Sequence, residues 1–317
     1  MNNQIACVLS VLFLTLAATA GQAEDALRLT VGQRGLWDTS ISEVGQRAGI
    51  FKKHGLALEI LWTQGSGETQ QAVIGGSVDI GTGVGIMGAL SAYSKGAPVR
   101  VIGAEMTGAG DLFWYVRADS PIKSLADLNG KTVAYSTVGS STHGVVNAFV
   151  KQYAPEAKPT QTGGPAATLT AVMSGQVDVG WAAPPFGLDQ LDRKEIRQIA
   201  TGNDTIFKGQ TVRLLITNIA MLANRKDAID RYVAAYRETI DWMYSDPAAL
   251  KTYAEFVGIT QEMAKRIRDG FFPRSSVSPD EITGLDLIVP DAVALKFTPA
   301  LLTKEQLAEL IQIPARK

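Results

Sequence analysis

Cysteine is all but missing from this chain: of 317 residues only Cys7 is one, and it sits inside the apolar run at the amino terminus. With that run removed there is no thiol, which excludes disulfides and a catalytic cysteine. Histidine is nearly as scarce, His54 and His143 alone, and no HExxH, CxxC or GxSxG spacing occurs. Metal-dependent and serine-dependent hydrolysis therefore lack their ligands or nucleophile. Charge of one sign is missing too. Lys and Arg number 30 against 31 Asp and Glu, for a net charge of −1, and no tight basic runs supply the footprint that nucleic acid requires. Low-complexity tracts and Pro/Ser linkers are absent. What remains is an ordinary globular composition, 46% apolar and 19% charged, long enough for about two domains of ~150 residues.

The one long apolar stretch, Ile5 to Ala20, is short for a membrane span, which needs roughly 20 residues, and it runs into small residues before Glu24-Asp25. Residues 1–23 read as a secretory signal peptide cleaved after Ala23, with Ala20 as the alternative site. The segment MNNQIA carries no Lys or Arg, only the terminal amine. Cys7 precedes the apolar stretch, so no lipoprotein is expected.

The strongest positive feature is an internal repeat. Residues 62–81 (WTQGSGETQQAVIGGSVDIG) align with residues 161–180 (QTGGPAATLTAVMSGQVDVG) at one fixed offset of 99 residues, sharing Thr, Gly, Thr, Ala, Val, Gly, Val, Asp and Gly. Each copy predicts a Gly-led loop, an amphipathic helix stopped by Gly76 or Gly175, a short apolar strand (Val78 to Ile80, Val177 to Val179) and a turning Gly. This is a helix-to-strand unit of a doubly wound sheet, present twice. Two related lobes with a cleft between them follow, and clefts are where ligands bind. Around the repeats, predicted strands (Leu27 to Val31, Leu56 to Trp62, Val99 to Ala104, Leu112 to Arg117, Gln210 to Thr217) alternate with helices, which argues for mainly parallel sheets. Lobe one is expected at 24–112 and 216–317 and lobe two at 113–215, joined by two crossover strands that can act as a hinge. From Asn224 the pattern changes to consecutive helices. Ile229, Val233, Tyr236, Ile240 and Met243 form one apolar stripe there, and these helices are expected to brace lobe one.

The motifs GxVDIG after an amphipathic helix, SLADLNGKTVAYSTVGSSTH in mid-chain and the SDPAAL step between long capped helices resemble the periplasmic substrate-binding proteins of nitrate, taurine and alkanesulfonate type that feed ABC importers. The resemblance runs from Leu27 to about Leu310. It implies a type II periplasmic-binding fold, a periplasmic location, a permease and an ATPase as partners, and no catalysis. It leaves the ligand open among nitrate, sulfonates, taurine, pyrimidines and aromatic acids. The same fold hosts pyrimidine-synthesis enzymes and a desulfinase, whose cysteine and histidine motifs are not found here. A module that senses a ligand and signals to a membrane receptor makes identical demands on sequence.

Binding candidates fall at strand-to-helix turns. Gly139-Ser140-Ser141-Thr142-His143 places free N–H groups, hydroxyls and the positive end of a helix dipole beyond the sheet, where an anion binds; plain helix capping is the bland reading. The resemblance carries a small-polar stretch followed by His to the same place. Thr82-Gly83-Val84-Gly85 is the expected counterpart turn on lobe one, and Ser66 lies in the loop preceding the first repeat helix. Arg34 and Trp37 in the first turn could pair with an anionic head and stack on a ligand body, or be surface and core. Trp181, aligned with Thr82 by the repeat, is expected at a cleft-facing strand end, followed by the apolar stretch containing Pro184. Arg117 and Arg213 on the crossovers read as structural more than ligand-facing, Asn218 could reach the ligand or the hinge, and Asp79 and Asp178 read as structural inside their lobes. The expectation is a monomeric receptor for a small organic anion, sulfonate or carboxylate, with no cofactor, metal or nucleic acid.

Overall fold

The computed structural model describes residues 24–316; the expected signal peptide lies outside them. Among the described residues no helix is long and apolar enough to cross a membrane. The chain opens with β1 (Asp25–Gly32), α1 (Ile41–Arg47), α2 (Ile50–Lys53), β2 (Leu56–Thr63), α3 (Ser66–Ile74), β3 (Ile80–Gly85), α4 (Ile86–Ser94) and β4 (Val99–Thr107). After a short crossover come β5 (Phe113–Arg117), β6 (Thr132–Tyr135), α5 (Ser141–Gln152), β7 (Lys158–Gln161), α6 (Pro165–Met173), β8 (Gly180–Ala182), α7 (Leu188–Asp192) and β9 (Ile196–Thr201). The chain then returns through β10 (Thr211–Asn218) to α8 (Ile219–Ser245), α9 (Pro247–Val257), α10 (Gln261–Phe271), α11 (Leu285–Ala294) and α12 (Lys304–Leu310).

The first sheet has the order β2-β1-β3-β10-β4, with β1 parallel to β2 and β3, and β10 antiparallel to both of its neighbours. In the second region β5 runs antiparallel between β8 and β9, and β6 pairs in parallel with β7. A parallel bridge from Val133 to Val179 links the two groups, giving the order β7-β6-β8-β5-β9. The two sheets are thus wound alike, and in each the lone antiparallel strand enters from the other sheet's side of the molecule. β10 pairs within the first sheet along its whole length, so the chain has returned by Thr211, a few residues before the expected 216.

The repeat is visible atom by atom. Its helices α3 and α6 occupy equivalent positions, and Gly76 and Gly175 both take the left-handed conformation (φ +71° and +76°) that stops each helix. Ahead of each helix the same pair of threonines meets, Thr63 with Thr69 at 2.7 Å and Thr162 with Thr168 at 2.6 Å, and Thr69 and Thr168 each donate to the Gly carbonyl that opens the helix. Asp79 and Asp178 accept backbone N–H groups from Arg28 and Thr132, both at 2.8 Å. Each aspartate therefore joins its unit to the neighbouring strand by a side chain, which is why regular pairing starts later than the apolar Val-Asp-Ile pattern predicts. We expect Thr69→Val and Thr168→Val to destabilise the protein by the same amount, about 1–2 kcal/mol, in urea unfolding. A difference larger than that amount would mean the two loops are not equivalent.

The apolar stripe of α8 is fully used: Ile229, Val233, Tyr236, Ile240 and Met243 are all at most 1% exposed. This helix packs on α1, α2, β4 and β10, α9 packs on α1, and α12 on β4, so the C-terminal helices cover the first lobe.

Candidate functional site

Between the two sheets lies a cavity of about 20 Å3, lined by Gly32, Gln33, Leu36, Thr39, Ser66, Gly83, Leu112, Ser136, Ser141, Thr142, Trp181 and Arg213. Most of these residues come from the carboxyl ends of parallel strands and the helix starts that follow, the place where ligands enter open α/β sheets. On the first lobe the β1–α1 turn is fixed by Gln33 in the left-handed region (φ +67°) and by Thr39, whose hydroxyl donates to the Gln33 carbonyl at 2.7 Å. On the second lobe the start of α5 is held by a hydroxyl relay. Ser140 Oγ accepts the His143 N–H at 3.1 Å and meets Thr142 Oγ1 at 2.8 Å, which in turn meets Ser136 Oγ at 2.9 Å. The relay keeps the hydroxyls ordered and leaves the first backbone N–H groups of α5 without intrahelical partners.

Besides Arg213 Nε, taken up below, two buried polar atoms at this cavity have no hydrogen-bond partner among the described residues: Ser66 Oγ and the indole Nε1–H of Trp181. An orphaned buried donor costs about 1–3 kcal/mol, so both are groups a bound solute could satisfy. At the base of the cavity Arg213 makes ion pairs with Asp38 (Nε to Oδ2, 2.6 Å) and Asp111 (Nη2 to Oδ2, 2.7 Å). The Asp38 approach is close but off-axis, without a well-directed hydrogen bond. Burial works against the Arg213 charge, but Asp111, Asp38 and Glu105 outweigh it and hold the guanidinium protonated.

The lobes are shut over this cavity. The Gly67 N–H donates to Thr137 Oγ1 at 3.0 Å, Arg266 reaches Asp192 at 2.7 Å, and the side chain of Phe186 lies beside Gly35. The loop 137–139 is received by glycines of the first lobe. A Cβ on Gly67 would lie 2.5 Å from the Val138 carbonyl oxygen, and one on Gly88 would strike the Gly139 carbonyl oxygen more closely still.

Of the sequence candidates, the fold brings together Ser66, Gly83, Ser141, Thr142 and Trp181. It places the others elsewhere. Trp37 is wholly buried in the first lobe, edge-on to Tyr253 with centroids 4.8 Å apart, and its Nε1–H donates to Tyr244 Oη at 3.0 Å. It cannot grip a ligand; Leu36, one residue earlier in the turn, faces the cavity instead. Arg34 points away, over the Phe256 ring at 4.5 Å, with a bond to the Phe256 carbonyl at 3.2 Å. Thr82 to Gly85 are not a turn but part of β3, and the left-handed Gly83 (φ +70°) lies within that strand. The Gly83 N–H is not free for a solute, since it donates to Glu105 Oε2 at 2.6 Å, and Val84 is core. Pro184 is buried away from the lining. Ser140 is spent as the helix cap, and the Gly139 N–H donates to His143 Nδ1 at 3.2 Å.

His143 faces an outer groove on the far side of the 137–139 loop, stacked on Tyr135 at 4.5 Å and edge-on to Phe297. Burial pushes its pKa down to about 4, and the bond from Gly139 requires an unprotonated Nδ1. It is therefore neutral near pH 7 and lends no charge to an anion. Because the unfolded chain takes this proton first, its contribution to stability is complete above pH 6.5 and is lost as pH falls toward 4. We expect His143→Gln to lose roughly 2 kcal/mol less than the parent between pH 7 and 4.5; equal losses would place an acceptor elsewhere for the imidazole proton.

Sequence reasoning missed Gly32, Gln33, Leu36, Thr39, Leu112 and Ser136, and read Arg213 as structural. Gln33 and Ser136 are the first residues beyond β1 and β6, so strand-end position was a usable signal; Leu112 and Arg213 come from the crossovers, whose path the sequence does not reveal.

Two wound lobes, two crossovers and a polar cavity between them define a periplasmic-binding-protein fold. The profile of the NMT1/THI5-like family matches residues 41–250, and the chain belongs to that family. The alkanesulfonate-binding protein SsuA of Xanthomonas axonopodis pv. citri, solved bound to MOPS, superposes with a TM-score of 0.74 at 17% identity, covering 92% of this chain and 100% of that one. The aliphatic sulphonate-binding SsuA of Escherichia coli gives 0.68 at 20% identity over 92% and 94%. The nitrate-binding NrtA of Synechocystis PCC 6803 gives 0.69 at 14% over 90% and 85%. Among curated proteins, a 4-amino-5-hydroxymethyl-2-methylpyrimidine phosphate synthase of Aspergillus parasiticus is 23% identical over 249 residues, 73% of this chain and 70% of its own length.

Proposed function

We propose that this protein is the solute-capturing component of an ABC-type importer, exported to the periplasm, which closes on a small organic anion (a sulfonate or carboxylate) and presents the closed form to a permease driven by its ATPase. The observation that carries this reading is the pair of unpartnered buried groups, Ser66 Oγ and Trp181 Nε1–H, facing one cavity with the N-termini of α3 and α5. Donors converging from both lobes suit an acceptor-rich head group, and each hydrogen bond to a charged head contributes about 1.5–3 kcal/mol. A cavity of about 20 Å3 has room for little more than a water, so a larger solute enters by parting the lobes at the crossovers.

The rival reading, an enzyme like the curated synthase relative, has little chemistry to draw on. Cys7 is the only thiol in the chain, His54 is tied to Glu238 at 2.8 Å away from the cavity, and His143 is stacked and neutral. Calorimetry of the mature protein against sulfonates, aliphatic and aromatic carboxylates, nitrate and pyrimidines tests the proposal. Saturable binding of an anion without turnover is expected, with Trp181→Phe and Ser66→Ala each weakening it about 10- to 100-fold. Conversion of any of these solutes to product, or unchanged affinity in both variants, refutes it.

A further inference from the structure

Around the head of Arg213 the fold gathers three carboxylates and one cation. Asp38 comes from the β1–α1 turn, Asp111 from the first crossover and Glu105 from β4. All three are fully buried, and Arg213 is 3% exposed. Asp38 and Asp111 each give one oxygen to the guanidinium, and Glu105 gives Oε2 to the Gly83 N–H. Among the described residues the remaining oxygens, Asp38 Oδ1, Asp111 Oδ1 and Glu105 Oε1, accept nothing. Arg213 and Gly83 both line the cavity, so the three carboxylates, which do not line it themselves, stand directly behind the wall against which a solute would rest. Fully ionised, three carboxylates against one guanidinium leave an excess of negative charge. Bringing an anion into the same poorly solvated space adds like charge at short range, which a buried carboxylate relieves by taking a proton.

We propose that capture of the anion is linked to a proton: the cluster takes up about one H+ from solvent as the solute binds. The inference rests on the anion reading above. Asp111 is the acceptor. Its unpartnered Oδ1 takes the proton while Oδ2 stays on Arg213; nothing else is transferred. Burial raises the Asp111 carboxyl to about 6 against the pull of Arg213, with Asp38 adding to the rise. Glu105 is likewise raised well above the usual carboxylate range, by burial and by Asp38. The other titratable groups near the cluster are Tyr232, Tyr236 and Tyr244 of α8 and Tyr253 of α9, all pushed up by burial and neutral in the working range. Both histidines are elsewhere, so a linkage between pH 6.5 and 8.5 comes from this carboxylate cluster, and the Asp111→Asn variant below assigns it within the cluster.

The test is calorimetric titration of the mature protein with ethanesulfonate, benzoate and nitrate in two amine buffers of unequal ionisation enthalpy, since sulfonate and carboxylate buffers would compete. The expected result is a binding heat that differs between the buffers by about one proton's worth, and a Kd that rises toward tenfold per pH unit between pH 6.5 and 8.5. Asp111→Asn, which keeps an acceptor for Arg213, should abolish both effects and bind more tightly than the parent at pH 8, whereas His143→Gln should keep them. The wild-type measurement decides the matter even if the Asn variant does not fold. Binding with buffer-independent heat and a flat pH profile overturns the proton linkage while leaving the receptor intact. Failure of every probe to bind at any pH overturns both.

Discussion

A Gly67→Ala, Gly88→Ala double variant is expected to fold normally and lose at least roughly a hundredfold in solute affinity. Both glycines belong to helices of the first lobe, α3 and α4, where alanine is a better helix former by ~1 kcal/mol. Neither has a positive φ, so nothing within the lobe demands glycine. The demand comes from across the cleft, where the carbonyl oxygens of Val138 and Gly139 occupy the space a methyl group would need. Backbone cannot yield there as a flexible side chain would, and overpacking costs about 1–3 kcal/mol per site. The lobes relieve that strain by standing apart, so it falls on the closed form alone and reduces affinity in proportion to the lost closed population. Calorimetry gives the affinity, and small-angle scattering with solute present gives the lobe separation. Wild-type affinity with normal compaction would show that the lobes close along some other contact.

Arg213→Met is expected to cost about 3–5 kcal/mol of stability at neutral pH, because removing one partner of a buried ion pair leaves its opposite charges uncompensated. Here two aspartates lose their counter-ion at once. The loss should shrink as pH falls toward 5, because Asp111 and Glu105 have carboxyls raised above their unfolded range and escape the penalty by protonation. Arg213→Lys keeps the charge without the fork and should fall between the two. Guanidinium unfolding at pH 8 and pH 5 provides the measurement. A loss under about 1 kcal/mol at pH 8 would mean that the carboxylates are held neutral without the guanidinium.

The glycine-lined closure and the Arg213 cluster shape the same cavity, and neither is visible in the internal repeat. The repeat exposed the wound α/β architecture, because equivalent helices stopped by Gly76 and Gly175 need the same residues in the same order. It also marks Ser66 and Trp181 as cleft-facing, since strand ends and helix starts sit beside the cleft wherever such a unit occurs. The start of α5 was legible for the same reason, though only Ser141 and Thr142 of that stretch face the cavity, while Ser140 caps and His143 turns outward. Trp37 and Arg34 were misplaced because a tight turn sends adjacent side chains in opposite directions, and a difference of one residue decides between core, surface and cleft.

By itself the sequence determined what is local or periodic in this protein: most of its helices and strands, the two related units, the apolar stripe of α8, and a single cysteine, Cys7. Only the tertiary structure decided which groups meet across distance. The Arg213 cluster joins Asp38, Glu105, Asp111 and Arg213, drawn from a turn, a strand edge and both crossovers. The steric need for glycine at positions 67 and 88 arises from a loop of the other lobe. Neither leaves a periodic trace, because burial, charge pairing and steric fit depend on separations in space that chain spacing does not encode.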